Sequence, residues 1–275
     1  SKTSTPYGRD AQMYDSSFGW RFVHPKMKEL FGTDAMGETA ENLVSQHTIS
    51  RADQDNFSFR SQRKATEAQA KGRFQKEIVA VEIPQKRGEA KIFDNDEFIR
   101  PDTSLEVLAK LKPAFKKDGS VTAGNASGLN DGAAAMLLAS ENAVKKFSLK
   151  PRAKILSSAA IGVEPRIMGI GPVEASNIAL RKAGITMKDI DIIELNEAFA
   201  AQALACIRSW GLKDDDARIN PNGGAIALGH PLGMSGIRIL GTSAIELQEQ
   251  NKRYALVTMC VGVGQGYAVV IENAG

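Results

Sequence analysis

The spacing of apolar residues divides this 275-residue chain into regions of different character. Residues 1–118 are polar and irregular, with few apolar runs of strand length. In residues 151–275, short apolar runs alternate with longer segments of helical periodicity. Strands are predicted at 153–163, 191–195, 218–220, 254–260 and 266–272, and helices at 172–183, 197–210 and 232–248. Because strands that alternate with helices usually pair in parallel, we expect an α/β fold with a largely parallel, helix-covered sheet whose final strand pair is antiparallel.

Residues 119–150 form a separate, intermediate segment. An apolar, strand-like run at 133–139 precedes a helix-like stretch at 140–147, and together they resemble the end of another sheet. The predicted helix at 232–248 is rich in small residues, which is typical of a helix packed between two sheets. The sequence therefore predicts a division at 1–118, 119–150 and 151–275.

The polar region contains one well-marked helix. Ser50 and Asp53 form a capping-box pattern at its start, and Lys71 followed by Gly72 is typical of its end. This segment carries the basic residues Arg60, Arg63, Lys64 and Lys71. They indicate either a solvent-exposed helix face or a face that contacts phosphate.

The composition is typical of a globular protein, with 43% hydrophobic and 24% charged residues. The net charge of +3 is spread along the chain, which argues against nucleic acid as a partner and suits a small anionic ligand. No apolar run is long enough to cross a bilayer and no signal peptide is recognisable, so no membrane association is expected. The two cysteines lack a paired spacing, which predicts a reducing, cytoplasmic location without a disulfide framework.

Three clusters of polar residues and glycines lie where predicted strands end or helices begin, the positions that ligands favour in open α/β sheets. The first cluster is Asn-Glu-Ala-Phe-Ala at residues 196–200. The Asn196 amide could hold a water molecule or a substrate oxygen by hydrogen bonding. Alternatively, Asn196 is the N-cap of the following helix, because asparagine is a favoured N-cap residue.

The second cluster, residues 220–233, surrounds His230 with glycines. Glycines allow the backbone to approach a ligand closely. Histidine is the side chain best suited to exchange protons near neutral pH. His230 is therefore predicted to be catalytic, whereas His24 and His47 are predicted to be structural.

The third cluster, residues 260–266, reads Cys-Val-Gly-Val-Gly-Gln-Gly and follows an apolar strand. Alternating glycines can direct backbone N–H groups toward an anion, and such dipoles together with an imidazole would stabilise a Cys260 thiolate. Alternatively, the segment is a tight hairpin with a buried thiol. Cys206 lies within a predicted helix and is interpreted as a buried structural thiol.

The same residues argue against two other kinds of site. The three histidines lie far apart and no cysteine or carboxylate pair has metal-ligand spacing, so no metal site is predicted. Gly262 and Gly264 precede a strand and not a helix, so they do not match a dinucleotide-binding fingerprint.

In this order, the three clusters resemble signature motifs of the thiolase family. Residues 121–132, Val-Thr-Ala-Gly-Asn-Ala-Ser-Gly-Leu-Asn-Asp-Gly, are similar to its fourth motif. The resemblance covers the whole chain and implies a layered α-β-α-β-α fold built from two similar halves. It implies that residues 1–118 are the loop domain, which binds coenzyme A (CoA) and mediates tetramer formation. Residues 119–150 would then be the remainder of the N-terminal half, and 151–275 the complete C-terminal half.

The resemblance also implies an activity and a set of roles. The enzyme would be an acyltransferase that cleaves a 3-oxoacyl-CoA with CoA to acetyl-CoA and a shortened acyl-CoA, or that runs the reverse Claisen condensation. His230 would activate a nucleophilic cysteine, and Cys260 would move the α-proton of acetyl-CoA. Asn196, through a water molecule, and His230 would form one oxyanion hole, and the N–H of Gly262 would contribute to a second. Further residues fall where thiolases contact CoA or the acyl group: Ser127, Arg100, Met36, Met168 and Phe199.

The partners implied by the resemblance are acyl-CoA, CoA and further copies of the chain in a homodimer or homotetramer. CoA enters as a substrate, and no cofactor is implied. Fatty acid metabolism and the β-ketoadipate pathway are the metabolic settings that the family suggests.

Two departures from the family pattern bear on activity and substrate. The family's nucleophilic cysteine has no counterpart in this sequence, so the chain alone is predicted to be inactive. Ala35 stands where a histidine commonly precedes the Met-Gly of acetoacetyl-CoA-specific members, and the last turn reads Gly262-Val263-Gly264. With residues 19–22, these features are similar to the family branch that acts on 3-oxoadipyl-CoA in aromatic-acid degradation. Room at Ala35 and a basic residue near it would suit a longer acyl chain with a distal carboxylate.

Two other functions stay open on the sequence. The alternative among enzymes is an acetoacetyl-CoA or general 3-ketoacyl-CoA thiolase. The alternative from another class is a non-catalytic CoA-binding or assembly piece.

Overall fold

The computed structural model describes residues 5–11, 13, 20 and 23–275, which combine α-helices with two β-sheets. The strands are β1 Val81–Ile83, β2 Lys91–Phe93, β3 Ala153–Gly162, β4 Ile192–Leu195, β5 Tyr254–Val261 and β6 Gln265–Asn273. The α-helices are α1 Pro25–Phe31, α2 Met36–His47, α3 Arg51–Ala70, α4 Leu105–Ala109, α5 Glu141–Phe147, α6 Gly171–Ala183, α7 Ala200–Ser209, α8 Ala225–Leu228 and α9 Ser235–Glu249. No helix in the described ranges is both long enough and apolar enough to cross a membrane.

The C-terminal region is built on a four-stranded sheet of order β3-β6-β5-β4. β4 and β5 pair in parallel with Leu195 opposite Thr258, whereas β5 with β6 and β3 with β6 pair antiparallel. The prediction of a largely parallel sheet is therefore wrong for the described strands. A short turn joins β5 to β6 and forces them to run in opposite directions, and β3 then pairs with the free edge of β6. The predicted strand at 218–220 is reduced to a single parallel bridge between Ile193 and Ile219.

Helices cover both faces of this sheet. α6 and α7 lie on one face, where their apolar residues share a core with Ile193, Leu195 and Leu256. α9 lies on the other face, where Leu247 shares a smaller core with Ile192. Among the described elements, α9 packs against this one sheet and not between two. Its outer side is correspondingly open, with Ile237 37% exposed.

α7 begins later than its sequence pattern predicts, at Ala200. Its N-cap is Phe199, whose backbone is extended and forms an antiparallel bridge with Ala126. Ala200 in turn donates its N–H to the carbonyl of Asn125 at 2.9 Å. Because the helix begins only at Ala200, with Phe199 as its N-cap, the interpretation of Asn196 as a helix N-cap is wrong.

The helix predicted from the Ser50–Asp53 pattern is confirmed as α3. Ser50 Oγ accepts the N–H of Asp53 at 3.0 Å, and the Asp53 carboxylate accepts the N–H of Ser50 at 3.0 Å. Arg60 donates to the backbone carbonyl of Asp214 at 2.8 Å, and Lys64 donates to that of Ile219 at 2.7 Å. Those two side chains therefore attach α3 to the C-terminal region, and the interpretation of a wholly solvent-exposed basic face is wrong for them.

The segment between the two regions follows its prediction only in part. α5 forms as predicted, with Ser140 Oγ accepting the N–H of Ala143. Residues 133–139 form no strand, and Leu137 and Leu138 are 78% and 69% exposed. The strand prediction is wrong here because a strand needs a neighbour for its backbone groups, and none of the described strands lies beside this run.

Candidate active site

Asn196 and His230 meet where β4 ends and the segment before α9 begins. Asn196 Nδ2 lies 3.3 Å from His230 Nε2. The backbone N–H of Asn196 donates to the carbonyl of Thr258 in β5 at 3.0 Å, so the sheet fixes the position of the amide. Asn196 is completely buried, yet its Oδ1 has no hydrogen-bond partner within the described residues. A buried amide oxygen is costly without a partner, so this atom is available to accept a hydrogen bond from a water molecule.

The His230 backbone is held by the segment that carries the fourth motif. His230 donates its N–H to the carbonyl of Gly128 at 3.1 Å. Gly229 adopts a φ of 86°, and a Cβ on it would lie 2.3 Å from Oδ1 of Asn130. A side chain at position 229 would therefore be strained and would push the two segments apart. The glycine before His230 is required for this close approach.

The imidazole of His230 is neutral at physiological pH. Burial, and to a smaller extent the positive charge of Arg238, lowers its pKa to about 4. A neutral ring has a nitrogen lone pair that can accept a proton. The electrostatics of the site therefore fit the predicted role of His230 as a base.

Cys260 lies two residues beyond Thr258, near the end of β5. It is buried and packs in a small apolar cluster with Met168, Ala198 and Phe199. Burial raises its pKa to about 12, which favours the neutral thiol. The prediction that the glycine-rich turn and the imidazole stabilise a thiolate is therefore wrong for the protein without ligand, because desolvation dominates.

The glycine-rich turn after Cys260 is a tight hairpin between β5 and β6, as one of the two interpretations predicted. Val263 and Gly264 have φ values of 69° and 88°. A Cβ on Gly264 would lie 2.2 Å from the carbonyl of Val163, so this position excludes a side chain. Gly262 lies at the start of the turn, and its role as an oxyanion-hole N–H stays a prediction.

Three of the predicted CoA or acyl contacts gather around Cys260. Met168 and Phe199 belong to its apolar cluster. Ser127 donates both its N–H and its Oγ–H to the carbonyl of Ala198, at 3.0 and 3.1 Å. These residues line the same end of the sheet as Asn196.

The other two predicted contacts lie on the residues 1–118 side of the site. Met36 is the first residue of α2, and its Sδ lies 3.9 Å from the position of a Cβ on Gly262. Arg100 is exposed and stacks over the ring of Phe98 at 5.7 Å. That ring abuts Gly128, where a Cβ would lie 2.3 Å from Phe98 Cζ. Arg100 is therefore separated from the Cys260 cluster and lies beside the segment that holds His230.

Glu197 has a role that the sequence reasoning missed. Its carboxylate accepts Ser61 Oγ–H at 2.7 Å, Asn220 Nδ2–H at 2.7 Å and the N–H of Ile226 at 3.2 Å. These bonds join α3, the end of β4 and the 220–226 segment that leads to His230. Burial raises the pKa of Glu197 and these hydrogen bonds oppose the rise. An acidic residue directly after the short buried strand β4 was the available signal, since such a residue needs partners.

Glu194 and Arg238 form a second polar group that the sequence reasoning missed. Glu194 is completely buried in β4, and burial raises its pKa to about 8, opposed by the charge of Arg238. In the part of the chain that the structure describes, neither carboxyl oxygen of Glu194 has a hydrogen-bond partner, and neither do Nε and Nη2 of Arg238. The two groups influence each other electrostatically without direct contact.

No group of three or more histidine, cysteine or carboxylate side chains in the described ranges is arranged to hold a metal ion. The polar groups of the candidate site are the Asn196 amide, the His230 imidazole, the Cys260 thiol and backbone groups. Such a set suits proton transfer and oxyanion binding.

Comparison with known proteins agrees with this geometry. Residues 6–142 match the family model of the thiolase N-terminal domain, and residues 149–273 match that of the thiolase C-terminal domain. The chain is 56% identical over 272 residues to the beta-ketoadipyl-CoA thiolase of Acinetobacter baylyi, a match that covers 99% of this chain and 68% of that protein.

Two solved structures share the fold. The chain matches the Bacillus anthracis acetyl-CoA acetyltransferase with a TM-score of 0.87 and 41% identity, over 98% of this chain and 66% of that one. It matches the human mitochondrial 3-ketoacyl-CoA thiolase in complex with CoA with a TM-score of 0.79 and 45% identity, over 87% of this chain and 59% of that one.

The two family matches together extend over most of the chain. The chain therefore belongs to the thiolase family, a class of acyltransferases, and it has a thiolase fold. This confirms the resemblance that the sequence motifs indicated. The chain spans about two thirds of the length of these relatives. The predicted internal division at residues 118 and 150 stays a prediction.

Proposed function

We propose that this chain carries the proton-transfer and oxyanion-binding half of a thiolase that cleaves 3-oxoadipyl-CoA with CoA. The observation that carries the proposal is the 3.3 Å contact between Asn196 Nδ2 and His230 Nε2. This contact is tied through Thr258 to β5, the strand that carries Cys260. A neutral imidazole, a buried amide with a free oxygen and a buried thiol are the groups that Claisen chemistry needs.

In the proposed cleavage, a nucleophilic cysteine adds to the 3-oxo carbon while His230 accepts its proton. The C2–C3 bond then breaks, its electron pair forms the enolate of acetyl-CoA, and the Cys260 thiol donates its proton to C2. The CoA thiol attacks the acyl-enzyme thioester and its proton restores Cys260. The nucleophilic thiolate leaves and takes its proton back from His230, so the shortened acyl-CoA is released without net proton change.

The high pKa of Cys260 suits this role. At neutral pH the group stays a thiol, ready to protonate the carbon of the enolate. In the reverse direction, a thiolate of high pKa is a strong base toward the α-carbon of acetyl-CoA. Asn196, through a water molecule, would stabilise the enolate oxygen, and the N–H of Gly262 would stabilise the tetrahedral oxyanion.

Neither cysteine of this sequence is proposed as the nucleophile. Cys206 lies inside α7 and is completely buried, its Sγ–H donates to the carbonyl of Gly169 at 3.3 Å, and burial raises its pKa. Cys260 is assigned to proton transfer. We therefore expect no release of acetyl-CoA when the 275-residue chain alone is mixed with a 3-oxoacyl-CoA and CoA. Turnover by this chain would contradict the assignment and would point to one of its two cysteines as the nucleophile.

The roles are tested in a polypeptide that also supplies the nucleophilic cysteine. Cys260→Ala and His230→Ala should each lower kcat for thiolysis by about 10²–10⁴-fold, because each removes a proton-transfer group. Cys206→Ala is the matched control, since it removes a buried thiol outside the site and should retain activity. Equal losses in all three variants would indicate that the cysteines act through folding alone.

The proposal of a dicarboxylic acyl chain rests on the residues near Met36. Ala35 leaves room beside Met36, and the relative from Acinetobacter baylyi is named a beta-ketoadipyl-CoA thiolase. Arg166 supplies a basic group: its Nε donates to Oδ2 of Asp34, the residue before Ala35, at 3.0 Å. A guanidinium has further donors that could bind a distal carboxylate. Of the predicted branch motif at residues 19–22, all but Trp20 lie outside the described residues.

The substrate is tested by comparing kcat/KM for 3-oxoadipyl-CoA and acetoacetyl-CoA. We expect the dicarboxylic substrate to be preferred, and Arg166→Gln to lower its kcat/KM about tenfold while leaving that for acetoacetyl-CoA unchanged. A preference for acetoacetyl-CoA would favour the alternative of an acetyl-CoA acetyltransferase, the activity for which the Bacillus anthracis relative is named.

We further propose that the protein works in the cytoplasm as a homotetramer, with CoA as substrate and without a metal or organic cofactor. The human relative was solved in complex with CoA, which supports CoA as the ligand. None of the proposed steps needs a cofactor. A β-ketoadipate pathway role follows from the substrate, and fatty acid metabolism follows from the alternative one. Light scattering of the purified protein tests the tetramer.

A further inference from the structure

A second hydrogen bond holds the ring of His230 on the side opposite Asn196. His230 Nδ1 lies 2.7 Å from Oγ of Ser235, and the same Oγ lies 3.1 Å from the carbonyl oxygen of Pro231. Ser235 is the first residue of α9 and is completely buried. Because α9 is packed on the sheet, the hydroxyl is held in a fixed position beside the ring.

The proton positions along this chain of atoms follow from what each group can do. The Nδ2–H group of Asn196 can only donate, so Nε2 of His230 must be the acceptor at that contact and the proton of the neutral ring lies on Nδ1. The single hydroxyl proton of Ser235 is then directed to the Pro231 carbonyl, which also accepts the backbone N–H groups of Met234 and Ser235 at 2.9 and 3.0 Å. Ser235 Oγ is then the acceptor for a proton on Nδ1 of His230. Nε2 is left with its lone pair, and the Nδ2–H of Asn196 donates to it across 3.3 Å. One assignment of protons therefore satisfies all three contacts.

We propose that Ser235 is a positioning residue that keeps the proton of neutral His230 on Nδ1 and the lone pair on Nε2. The proposed function requires His230 to accept the proton of the nucleophilic cysteine, and Nε2, which faces Asn196, is the ring nitrogen that keeps its lone pair for this. With the other tautomer, Nε2 would carry a proton and could not act as that acceptor. The meaning for catalysis rests on the proposed function, whereas the tautomer itself does not.

The tautomer is measured directly by nuclear magnetic resonance. Long-range ¹H–¹⁵N spectra of the ¹⁵N-labelled 275-residue chain at pH 7 report which ring nitrogen of each histidine carries the proton. The sequence contains three histidines, so His24→Gln and His47→Gln variants suffice to assign the signals of His230. We expect the His230 proton on Nδ1. A proton on Nε2 in the unaltered chain would overturn the proposal without any further variant.

Substitution of Ser235 tests its part in the effect. In Ser235→Ala, Nδ1–H loses its acceptor, so a measurable fraction of the ring should move its proton to Nε2. Ser235→Thr keeps the hydroxyl and should restore the original pattern. Ser243→Ala is the matched control, because Ser243 is also buried in α9 and its hydroxyl donates to the carbonyl of Ile239 at 2.8 Å, without a histidine contact. An unchanged pattern in Ser235→Ala would refute the role of the serine.

The spectra and the thiolysis assay separate the two proposals. A proton on Nδ1 without thiolase activity, even when a nucleophilic cysteine is supplied, would contradict the proposed function and support the effect of Ser235 on the ring. Full activity with the His230 proton on Nε2 would support the proposed function and overturn the proposed role of Ser235.

Discussion

Two buried polar regions of this molecule differ in how completely their hydrogen-bonding groups are paired. Around Glu197, both carboxylate oxygens accept bonds from α3, from Asn220 and from the segment that follows it. At the His230 site, by contrast, Oδ1 of Asn196 and Oδ1 of Asn130 are buried and find no partner in the described part of the chain. The hydrogen-bonded cluster of Glu197 with Ser61, Asn220 and Ile226, called the Glu197 joint below, holds structural elements together, and its polar groups are paired. A site that binds substrate keeps some hydrogen-bonding groups available.

Glu194 resembles Glu197 in its burial and Oδ1 of Asn196 in its lack of hydrogen-bond partners among the described residues. It is as buried as Glu197 and three positions before it in the chain, but neither of its oxygens is bonded to another described residue. Burial raises the pKa of both carboxyls, and only at Glu197 do several hydrogen bonds oppose the rise. Substitutions at Glu197, at the neighbouring Gly224 and at Glu194 therefore test how differently paired and unpaired buried groups contribute to stability.

The largest effect is expected for Glu197→Gln. Glutamine has the same shape, but its Nε2 donates where the carboxylate accepts, so it would face Ser61 or Asn220 with like groups. We expect a loss of about 3 kcal/mol in the free energy of unfolding, measured by urea denaturation. Glu67→Gln on the exposed side of α3 is the control and should change stability by less than about 0.5 kcal/mol. Similar small effects for both would mean that the joint around Glu197 contributes little.

A smaller effect is expected for Gly224→Ala. A Cβ at this position would lie 2.3 Å from the carboxyl carbon of Glu197 and would displace the buried carboxylate. Overpacking of this kind costs about 2 kcal/mol. A Cβ on Gly233 would meet nothing within 4 Å, so Gly233→Ala is the matched control. Equal melting curves for the two variants would show that the Glu197 carboxylate can be displaced with little loss of stability.

The smallest expected effect is the pH dependence that Glu194 gives to the free energy of unfolding. Its pKa in the folded protein is about 8, against an ordinary value of 4.5, so the folded state binds more protons than the unfolded state between these values. Stability from this group is therefore present below pH 4.5 and is lost as the pH rises toward 8.

Glu194→Gln stays neutral and should not show that loss. Between pH 6.5 and 8 we expect the variant to gain on the order of 1 kcal/mol relative to the unaltered chain, measured by denaturation at several pH values. This window avoids His230, whose low folded pKa of about 4 makes it destabilising only below its ordinary value of 6.5. Parallel pH profiles for the two proteins would indicate that Arg238 or water neutralises Glu194.

Local patterns predicted α3, α5, α6, α9 and the long strands well, whereas no bounds were predicted for α1, α2 and α4. The capping box at Ser50, the glycine after Ala183 and the apolar run of β5 each specify an element through contacts between near neighbours. The failures concern partners that are distant in sequence. The direction of β3 depends on its pairing with β6, and the exposed run at 133–139 has the composition of a strand without a described neighbour to pair with.

The sequence by itself determined the family, and its motifs of fixed spacing predicted His230, Asn196 and Cys260 as the reactive groups. Only the tertiary structure decided their protonation. The same thiol that glycine-rich surroundings were expected to ionise is kept neutral by burial, and the same imidazole is turned into a neutral base by desolvation and by Arg238. The physical reason is that a pKa depends on solvent exclusion and charge in three dimensions, which residue spacing does not encode.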